Sequence, residues 1–244
     1  TINFSQISMN LVDMSSSSNV LMLVGIAFIF AGFAFKFGLA PFHMWVPDVF
    51  EGVPSIVALF IASAPKIATF TIVVRLFFTV FNPLHDQWTH FFILIAVLSL
   101  LLGNITAIVQ TNIKRLFAYS SIAHMGYMIL GLIAGTKLGL SASLFYVVSY
   151  SFVTIGGFGV LALMNSQGYE IKNISDLSGL NQRNPWLAFI MLLLIFSMAG
   201  VPPTVGFVAK LGVIMALVQQ HYIALAVFAV LMAVIGLYYY LRII

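Results

Sequence analysis

The 244-residue sequence contains no cysteine. This absence excludes disulfide bonds, thiolate metal sites and ligation of an iron–sulfur cluster by the chain itself. Charged residues are also scarce, because they make up 7% of the chain, whereas a soluble domain carries about 25%. So few charges cannot cover a globular surface in water, and the composition therefore indicates a membrane protein.

The sequence also lacks the short motifs that bind nucleotides or catalytic metals. It has no glycine-rich dinucleotide fingerprint after a strand, no phosphate-binding loop, no H-E-x-x-H and no C-x-x-C. The ten lysines and arginines are scattered, so the net charge of +4 does not indicate a nucleic-acid partner. We expect no cofactor or metal in this chain, and the chemistry that remains is the movement of protons or other ions.

Hydrophobic residues are abundant, at 62% of the chain with a mean hydropathy of +1.11, and they occur in long runs. About 20 apolar residues cross the roughly 30 Å hydrocarbon core of a bilayer as a helix. We predict a single all-α transmembrane domain over residues 1–244, with a polar lead-in over residues 1–19 and the lipid bilayer as its solvent. About seven spans are predicted: 20–45, 54–81, 88–110, 114–135, 138–164, 185–218 and 221–244.

Most charged side chains lie near the ends of the predicted spans. Four basic residues collect on one face: Arg115, Lys172, Arg183 and Arg242. By the positive-inside rule, this face and the loop over residues 165–184 are predicted to be on the inner side. Asp48 and Glu51 fall in a predicted loop after the first span, where we expect solvated carboxylates.

Two of the predicted spans contain helix-breaking segments. Residues 38–41 follow Lys36 in the first span, and residues 200–203 precede Lys210 in the sixth. Proline removes a backbone donor and clashes with the carbonyl four residues before it. The two broken helices are five spans apart and therefore run in opposite directions. Such a pair indicates inverted repeats around an ion pathway, with residues 20–81 ending a first repeat and residues 88–244 forming a second.

Three lysines lie inside apolar segments: Lys36, Lys66 and Lys210. A lysine at the centre of a spanning helix costs about 2.5–3.5 kcal/mol, so we expect all three to face a hydrated interior. Burial disfavours the ammonium form and a nearby carboxylate favours it, so a buried lysine can exchange its proton when neighbouring charge changes. These lysines are candidates for a proton relay. Alternatively, they are structural and bind the carbonyls that the helix breaks set free.

Two further residues are secondary candidates. Lys114 begins the fourth predicted span, where an interfacial lysine also serves to anchor topology. His124 forms a polar stripe with Ser120, Ser121 and Tyr127 at helical spacing. Histidine shuttles protons near neutral pH, and hydrogen bonding between helices is an equally good account of the stripe.

Several segments resemble the subunit N family of respiratory complex I. Residues 35–52 read F-K-F-G-L-A-P-F-H-M-W-V-P-D-V-F-E-G, which is similar to the family pattern F-K-x-x-x-x-P-F-H-x-W-x-P-D-V-Y-x-G. Further similar segments cover residues 62–68, 103–122, 197–207 and 236–242. The resemblance extends over nearly the whole chain from about Val20, and the lysine in A-P-K-I at residues 64–67 is more typical of subunit N than of its sister subunits.

The resemblance implies a proton-translocating subunit of NADH:quinone oxidoreductase. It implies that Lys36 is the lysine of a pumping site, that Lys66 belongs to a central hydrophilic axis, and that Lys210 is the lysine of the second broken helix. Lys114 would be a secondary member. FMN, iron–sulfur clusters and quinone would then be held by other subunits, and the expected location is the bacterial inner membrane, with the mitochondrial inner membrane as the alternative.

The resemblance also concerns partners. Only the later spans of the family pattern are present, and the glutamate that pairs with the pumping lysine in the family belongs to earlier spans. We therefore expect other membrane subunits as partners, with the N-terminal half of the same subunit separate or absent. Two alternatives remain: an ion-translocating subunit of a sodium/proton antiporter or membrane-bound hydrogenase, and a structural spacer that does not pump.

Overall fold

The computed structural model describes residues 20–166 and 171–244, together with Phe4, Ile7, Ser8 and Leu11. Most of the predicted lead-in over residues 1–19 therefore lies outside the described residues. The described chain forms the α-helices α1 (Val20–Phe37), α2 (Trp45–Gly52), α3 (Ser55–Ala62), α4 (Ala64–Arg75), α5 (His85–Ile108), α6 (Ile113–Ile133), α7 (Lys137–Ser166), α8 (Leu180–Arg183), α9 (Pro185–Ala199), α10 (Val205–Gln219) and α11 (Ile223–Ile243). Short π and 3₁₀ turns cover Leu76–Val80, Asn82–Leu84 and Ile174–Leu177.

Six helical stretches of the described chain are long and apolar enough to cross a membrane. The shorter apolar helices α9 and α10 lie on either side of the predicted break and together take the place of the sixth predicted span. The prediction of an all-α transmembrane bundle with about seven spans is therefore confirmed.

The first break begins earlier than the predicted end of its span. Helix α1 ends at Phe37, because Gly38 adopts a positive φ of 74°, a conformation that ends helices and that glycine reaches without strain. Trp45 was predicted inside this span but begins α2, and the predicted loop after it is helical through Gly52. Pro47 is tolerated there because a first-turn residue has no helical N–H bond to lose.

A third interruption was not predicted. Residues 54–81 were expected to form one continuous span, but the helix breaks at Ser63, which has φ −117° and ψ −82°. Pro65 follows in the first turn of α4 and has no N–H to donate to a carbonyl of α3. Lys66 therefore lies at the beginning of a helix, one residue after a proline, rather than in the middle of a regular span.

The four basic residues lie at one end of the bundle, as predicted, and we call it the basic end. Asn112 pairs with Asn173, and the Ile113 amide donates to the Lys172 carbonyl at 3.0 Å. Arg242 donates to the Gln110 carbonyl at 3.1 Å, and Arg183 donates to carbonyls of the loop that contains Lys172.

Helices α1 and α2 run toward this end and α9 and α10 run away from it, so the two broken helices run in opposite directions. The assignment of residues 20–81 and 88–244 to two repeats stays a hypothesis.

Helix α6 forms the centre of the bundle. Over 18 residues of α6, 94% of the residues are buried, whereas the corresponding share in α1 is 22% within the described chain. A helix that is buried on all sides must be approached closely by its neighbours, and small residues permit this. A Cβ on Gly103 of α5 would lie 2.7 Å from the Ala123 amide nitrogen of α6, so only glycine fits at this contact.

Candidate functional site

Lys66 lies in the interior of the bundle, as predicted. Its side chain is almost fully buried, and its Nζ donates a hydrogen bond to the Ser121 hydroxyl of α6. The ring of Tyr150 on α7 faces the ammonium, with the ring centroid 4.9 Å from Nζ. The break at Ser63 and the first turn of α4 direct this lysine toward α6 and α7.

Lys210 is also buried, and it binds the end of the preceding half-helix. Its Nζ donates to the Met198 carbonyl at 3.2 Å and to the Ala199 carbonyl at 2.8 Å. These carbonyls belong to the last turn of α9, which ends because Gly200 adopts a φ of 82°. A cation at a helix C-terminus is favourable because the helix dipole is negative there. For Lys210, the geometry matches the structural role that the sequence left open, binding to freed carbonyls.

His124 lies between the two lysines and joins three helices. Its Nδ1 is 2.7 Å from the Tyr146 hydroxyl of α7, and its Nε2 is 2.9 Å from the Tyr240 hydroxyl of α11. Ser120 also hydrogen-bonds to Tyr240. His124 interacts electrostatically with both Lys66 and Lys210. The hydrogen bonds between helices are therefore present, and the shuttle role of His124 stays a prediction.

Aromatic rings connect the two lysines in an unbroken series of contacts. The Tyr150 and His124 rings are 5.0 Å apart, and the His124 and Tyr146 rings are 5.9 Å apart. Tyr146 stacks on Tyr127 at 6.0 Å, and the Tyr127 ring centroid is 5.1 Å from the Lys210 Nζ. We call this series the lysine–aromatic row; its members in order are Lys66, Tyr150, His124, Tyr146, Tyr127 and Lys210.

A small cavity adjoins this row. It has a volume of about 20 Å³ and is lined by His124, Tyr146, Ser197 and Gly206, among others. Roughly 10–15 Å³ of such volume is enough for one water molecule when polar partners are present. The cavity lies between the histidine and the second broken helix, and its surface is formed by apolar atoms, so it does not offer the polar partners that a water molecule needs.

Lys36 and Lys114 lie outside the row. Lys36 is exposed at the end of α1 and makes no hydrogen bond to another residue that the structure describes, and its interior position stays a prediction. Lys114 lies at the basic end, where its Nζ donates at 2.8 Å to the carbonyl of Val53, the residue that follows α2.

The loop carboxylates are not simply solvated. Arg115 forms ion pairs with Asp48 and with Glu51, both at 2.8 Å. The carboxylates are placed there because residues 45–52 are helical, which brings both to the side of α2 that faces the start of α6. The predicted loop is therefore helical, the two carboxylates are exposed to solvent as predicted, and the ion pairs attach α2 to the central helix.

The site lacks acidic side chains within the described part of the chain. The described carboxylates are Asp48, Glu51, Asp86 and Asp176, and all of them lie at helix ends or in turns outside the row. In the same ranges, no three histidine or acidic side chains come together as metal ligands. The charges of Lys66 and Lys210 are therefore balanced here by hydroxyl and carbonyl oxygens and by aromatic rings.

Three members of the site were missed in the sequence. Tyr146 and Tyr150 are four residues apart on α7, a spacing that places them on one face and could have indicated a shared role. Tyr240 gave no such indication, because its contact with His124 joins residues 116 positions apart.

The chain matches the family described as "NADH:quinone oxidoreductase/Mrp antiporter, TM" over residues 1–236. Among curated proteins, it is 56% identical over 226 residues to NADH-quinone oxidoreductase subunit N of Coxiella burnetii, which covers 93% of this chain and 47% of that protein. It is 48% identical over 244 residues to the protein of the same name from Acidithiobacillus ferrooxidans, which covers 100% of this chain and 50% of that protein. The chain thus spans about half the length of the curated relatives it matches.

Two solved structures share the fold. A chain of respiratory complex I from Thermus thermophilus with bound aureothin superposes with a TM-score of 0.78 at 29% identity, covering 98% of this chain and 54% of that one. A chain of the Mrp complex from Dietzia sp. DQ12-45-1b superposes with a TM-score of 0.88 at 23% identity, covering 100% of this chain and 44% of that one. The second likeness concerns the fold alone.

Proposed function

The chain belongs to the NADH:quinone oxidoreductase/Mrp antiporter family of membrane proteins, and from this premise we propose that it is the proton-translocating part of subunit N of NADH:quinone oxidoreductase. The observation that carries the proposal is the lysine–aromatic row, in which two buried lysines flank a histidine without any described carboxylate. A buried amine that can lose and regain its proton is what a relay through a bilayer requires.

The proton path that we propose follows the contacts of the row. A proton on Lys66 is within hydrogen-bond reach of Ser121, and His124 can take and give a proton through Tyr146 and Tyr240. Lys210 is the next amine along the row, beyond the rings of Tyr146 and Tyr127. A change of charge at one end of the row alters the proton affinity of the next group, since such groups interact strongly in a dry interior.

The energy scale is compatible with this role. Moving one charge against 100 mV requires about 2.3 kcal/mol. A change of one pKa unit corresponds to about 1.4 kcal/mol. Charge changes that alter the pKa of a lysine by a few units are thus sufficient to move a proton against this potential. No redox group is needed in this chain. FMN, iron–sulfur clusters and quinone are proposed for other subunits of the assembly.

Lys36 has a separate place in the proposal. Its exposure at the end of α1 suits an amine that meets a partner, and the family pattern assigns the pumping lysine to this position. We propose that other membrane subunits, and an N-terminal half of the same subunit, surround this face in the bacterial inner membrane. Lys114 is proposed as a secondary member that acts at the basic end.

The test uses inverted membrane vesicles from cells that produce the complete subunit with the rest of its assembly. We expect Lys66→Ala and Lys210→Ala to lower NADH-driven proton uptake by on the order of tenfold or more, because a positioned proton carrier is lost. Lys137→Ala is the matched control, since Lys137 is exposed at the start of α7. Proton uptake is followed with a pH-sensitive dye while NADH oxidation is recorded in parallel.

The same vesicles separate the proposal from its alternatives. If Lys66→Ala and Lys210→Ala both pump like the wild type, the chain is a structural spacer. If proton uptake depends on sodium and not on NADH, the chain belongs to an antiporter-type assembly. The first result removes the proton-translocating role of this chain, and the second removes its complex I assignment.

A further inference from the structure

The two buried lysines share an arrangement that the relay itself does not require. Each ammonium faces the ring of one tyrosine: Lys66 faces Tyr150 at 4.9 Å, and Lys210 faces Tyr127 at 5.1 Å. An ammonium within about 6 Å of a ring centroid is attracted by the negative potential of the ring face, and the attraction grows when water is excluded.

The other groups around each lysine are neutral in charge or weakly polar. The titratable groups that face Lys66 are His124 on α6 and Tyr150 on α7, and those that face Lys210 are His124 and Tyr127 on α6. The remaining contacts are the Ser121 hydroxyl for Lys66 and two carbonyls of α9 for Lys210. No described carboxylate reaches either ammonium, so the ring face adds negative potential to that of the oxygen atoms that each ammonium binds.

The rings are held so that their faces stay turned toward the lysines. The Tyr127 hydroxyl donates to the Ala229 carbonyl of α11 at 2.9 Å, and its ring is nearly parallel to that of Tyr146, at an interplanar angle of 20°. Tyr150 is fixed between Lys66 and the His124 ring. The orientation of each ring is therefore set by a different helix from the one that carries the lysine.

We propose that Tyr150 and Tyr127 are positioning residues that stabilise the protonated forms of Lys66 and Lys210 through their ring faces, in the place where a carboxylate would otherwise stand. This inference rests on the proposed function, because it concerns the protonated state of the two relay lysines. The aromatic faces act on the two ammonium groups, whereas the Tyr127 hydroxyl only helps to hold its ring, which also stacks on Tyr146.

The experiment compares ring-retaining and ring-removing variants in the same vesicles. Tyr150→Phe and Tyr127→Phe keep the ring, whereas Tyr150→Leu and Tyr127→Leu remove it. The readout is NADH-driven proton uptake per NADH oxidised, measured across a range of pH. We expect the Phe variants to keep the wild-type profile, and the Leu variants to lose proton uptake at a pH about one unit lower on the alkaline side, since a less stabilised ammonium loses its proton earlier.

A matched control removes a buried ring that faces no lysine. Phe117 on α6 is buried and packs edge-on against Phe158. Phe117→Leu is expected to leave the alkaline limit of proton uptake where the wild type has it. An equal shift in Phe117→Leu and Tyr150→Leu would attribute the effect to lost packing and would overturn the proposal.

A second series covers the case in which the Leu variants do not assemble. Phenylalanines with increasing numbers of ring fluorines, introduced at position 150 by codon suppression, weaken the ring potential with little change in volume. A stepwise downward shift of the alkaline limit with each fluorine supports the proposal, and a flat series overturns it. If Lys66→Ala also pumps normally, the proposed function fails; if Lys66→Ala is inactive and the fluorine series is flat, only this inference fails.

Discussion

Two helices of the chain are broken, one beside Gly38 and one beside Gly200. Both breaks leave backbone amides and carbonyls without helical partners, but different groups pair with them at each break. At the first break, the Ala40 amide donates to the Ser99 hydroxyl of α5 at 2.9 Å, and the Trp45 indole donates to the Phe35 carbonyl at 3.0 Å. These partners are neutral, and Lys36 takes no part in them. The lysine beside this break is thus left on the surface of the described chain.

At the second break, the lysine itself completes the structure. The Gly206 amide donates to the Ser197 hydroxyl at 3.1 Å, and Lys210 binds the carbonyls of Met198 and Ala199. The comparison teaches that a lysine beside a proline break has no fixed role. Its role depends on whether the neighbouring helices supply other donors for the freed carbonyls, which the local sequence does not specify.

The two distal half-helices are also held by different forces. Helix α2 is attached to α6 through the ion pairs of Arg115 with Asp48 and Glu51. Helix α10 is attached by apolar residues that face α7 and α6, and its buried residues are Ala209, Lys210, Val213, Ala216 and Leu217. The first half-helix should therefore respond to salt and the second to changes of side-chain volume.

The largest effect is expected from Gly206→Ala, which changes the close contact between α9 and α10. A Cβ on Gly206 would lie 1.7 Å from the Ser197 carbonyl oxygen, so α9 and α10 would have to separate. We expect a loss of about 3 kcal/mol or more of folding free energy, as in a strongly overpacked core. Gly32→Ala in α1 is the control, because a Cβ there meets no heavy atom within 4 Å. Melting of the detergent-purified protein measures both, and equal melting temperatures would contradict the close approach.

A smaller effect, similar at both breaks, is expected when the serine acceptors are removed. Ser99→Ala leaves the buried Ala40 amide without its acceptor, and Ser197→Ala removes the acceptor of the partly buried Gly206 amide. An unsatisfied buried amide costs about 1–3 kcal/mol, so each variant should melt at a lower temperature. Ser141→Ala, at an exposed position on α7, is the control. A variant that melts like the wild type would mean that its amide does not depend on the serine.

Salt should distinguish the two half-helices. Arg115→Gln removes both ion pairs of α2, with an expected cost of about 1 kcal/mol because the carboxylates are partly exposed to solvent. The wild type should become less stable in about 1 M salt, where screening acts over roughly 3 Å, and the variant should lose this salt dependence. Protease susceptibility of residues 45–52 at low and high salt is the measurement. Adding Asp48→Asn to Arg115→Gln should have little further effect, because Arg115 is the partner of Asp48 that the structure shows, and a large additional loss would contradict this pairing.

The smallest effect is expected in the turn that leads into α9. The amides of Asn173 and Lys172 donate to the Asp176 carboxylate and hold the pKa of that carboxyl below its usual range. Its stabilising contribution is therefore present at neutral pH and is lost as the pH falls through this lowered pKa. Asp176→Asn should lower the melting temperature slightly at neutral pH and not at a pH below the lowered pKa, where the wild-type carboxyl is protonated as well. The same difference at both pH values would assign the effect to lost packing.

Much of this arrangement could be predicted from residue order. The apolar runs gave the all-α bundle, and the glycine and proline positions gave the two breaks and their opposite directions. The third break at Ser63 was missed because a proline in the first turn of a helix is compatible with both a kinked span and a new helix. Lys66 and His124 were found as candidates because polar groups inside apolar segments are costly unless they have a partner.

The amino-acid sequence by itself determined the solvent of this protein, its helical class and the positions of its intramembrane lysines, because these follow from composition, run length and local backbone chemistry. Only the tertiary structure decided which lysines meet. Lys66 and Lys210 are 144 positions apart and share His124 through helices that pack side by side, whereas Lys36 is exposed on the surface of the described chain. Contacts of this kind depend on how helices approach one another, and close approach is set by small residues and freed backbone groups on different segments at once.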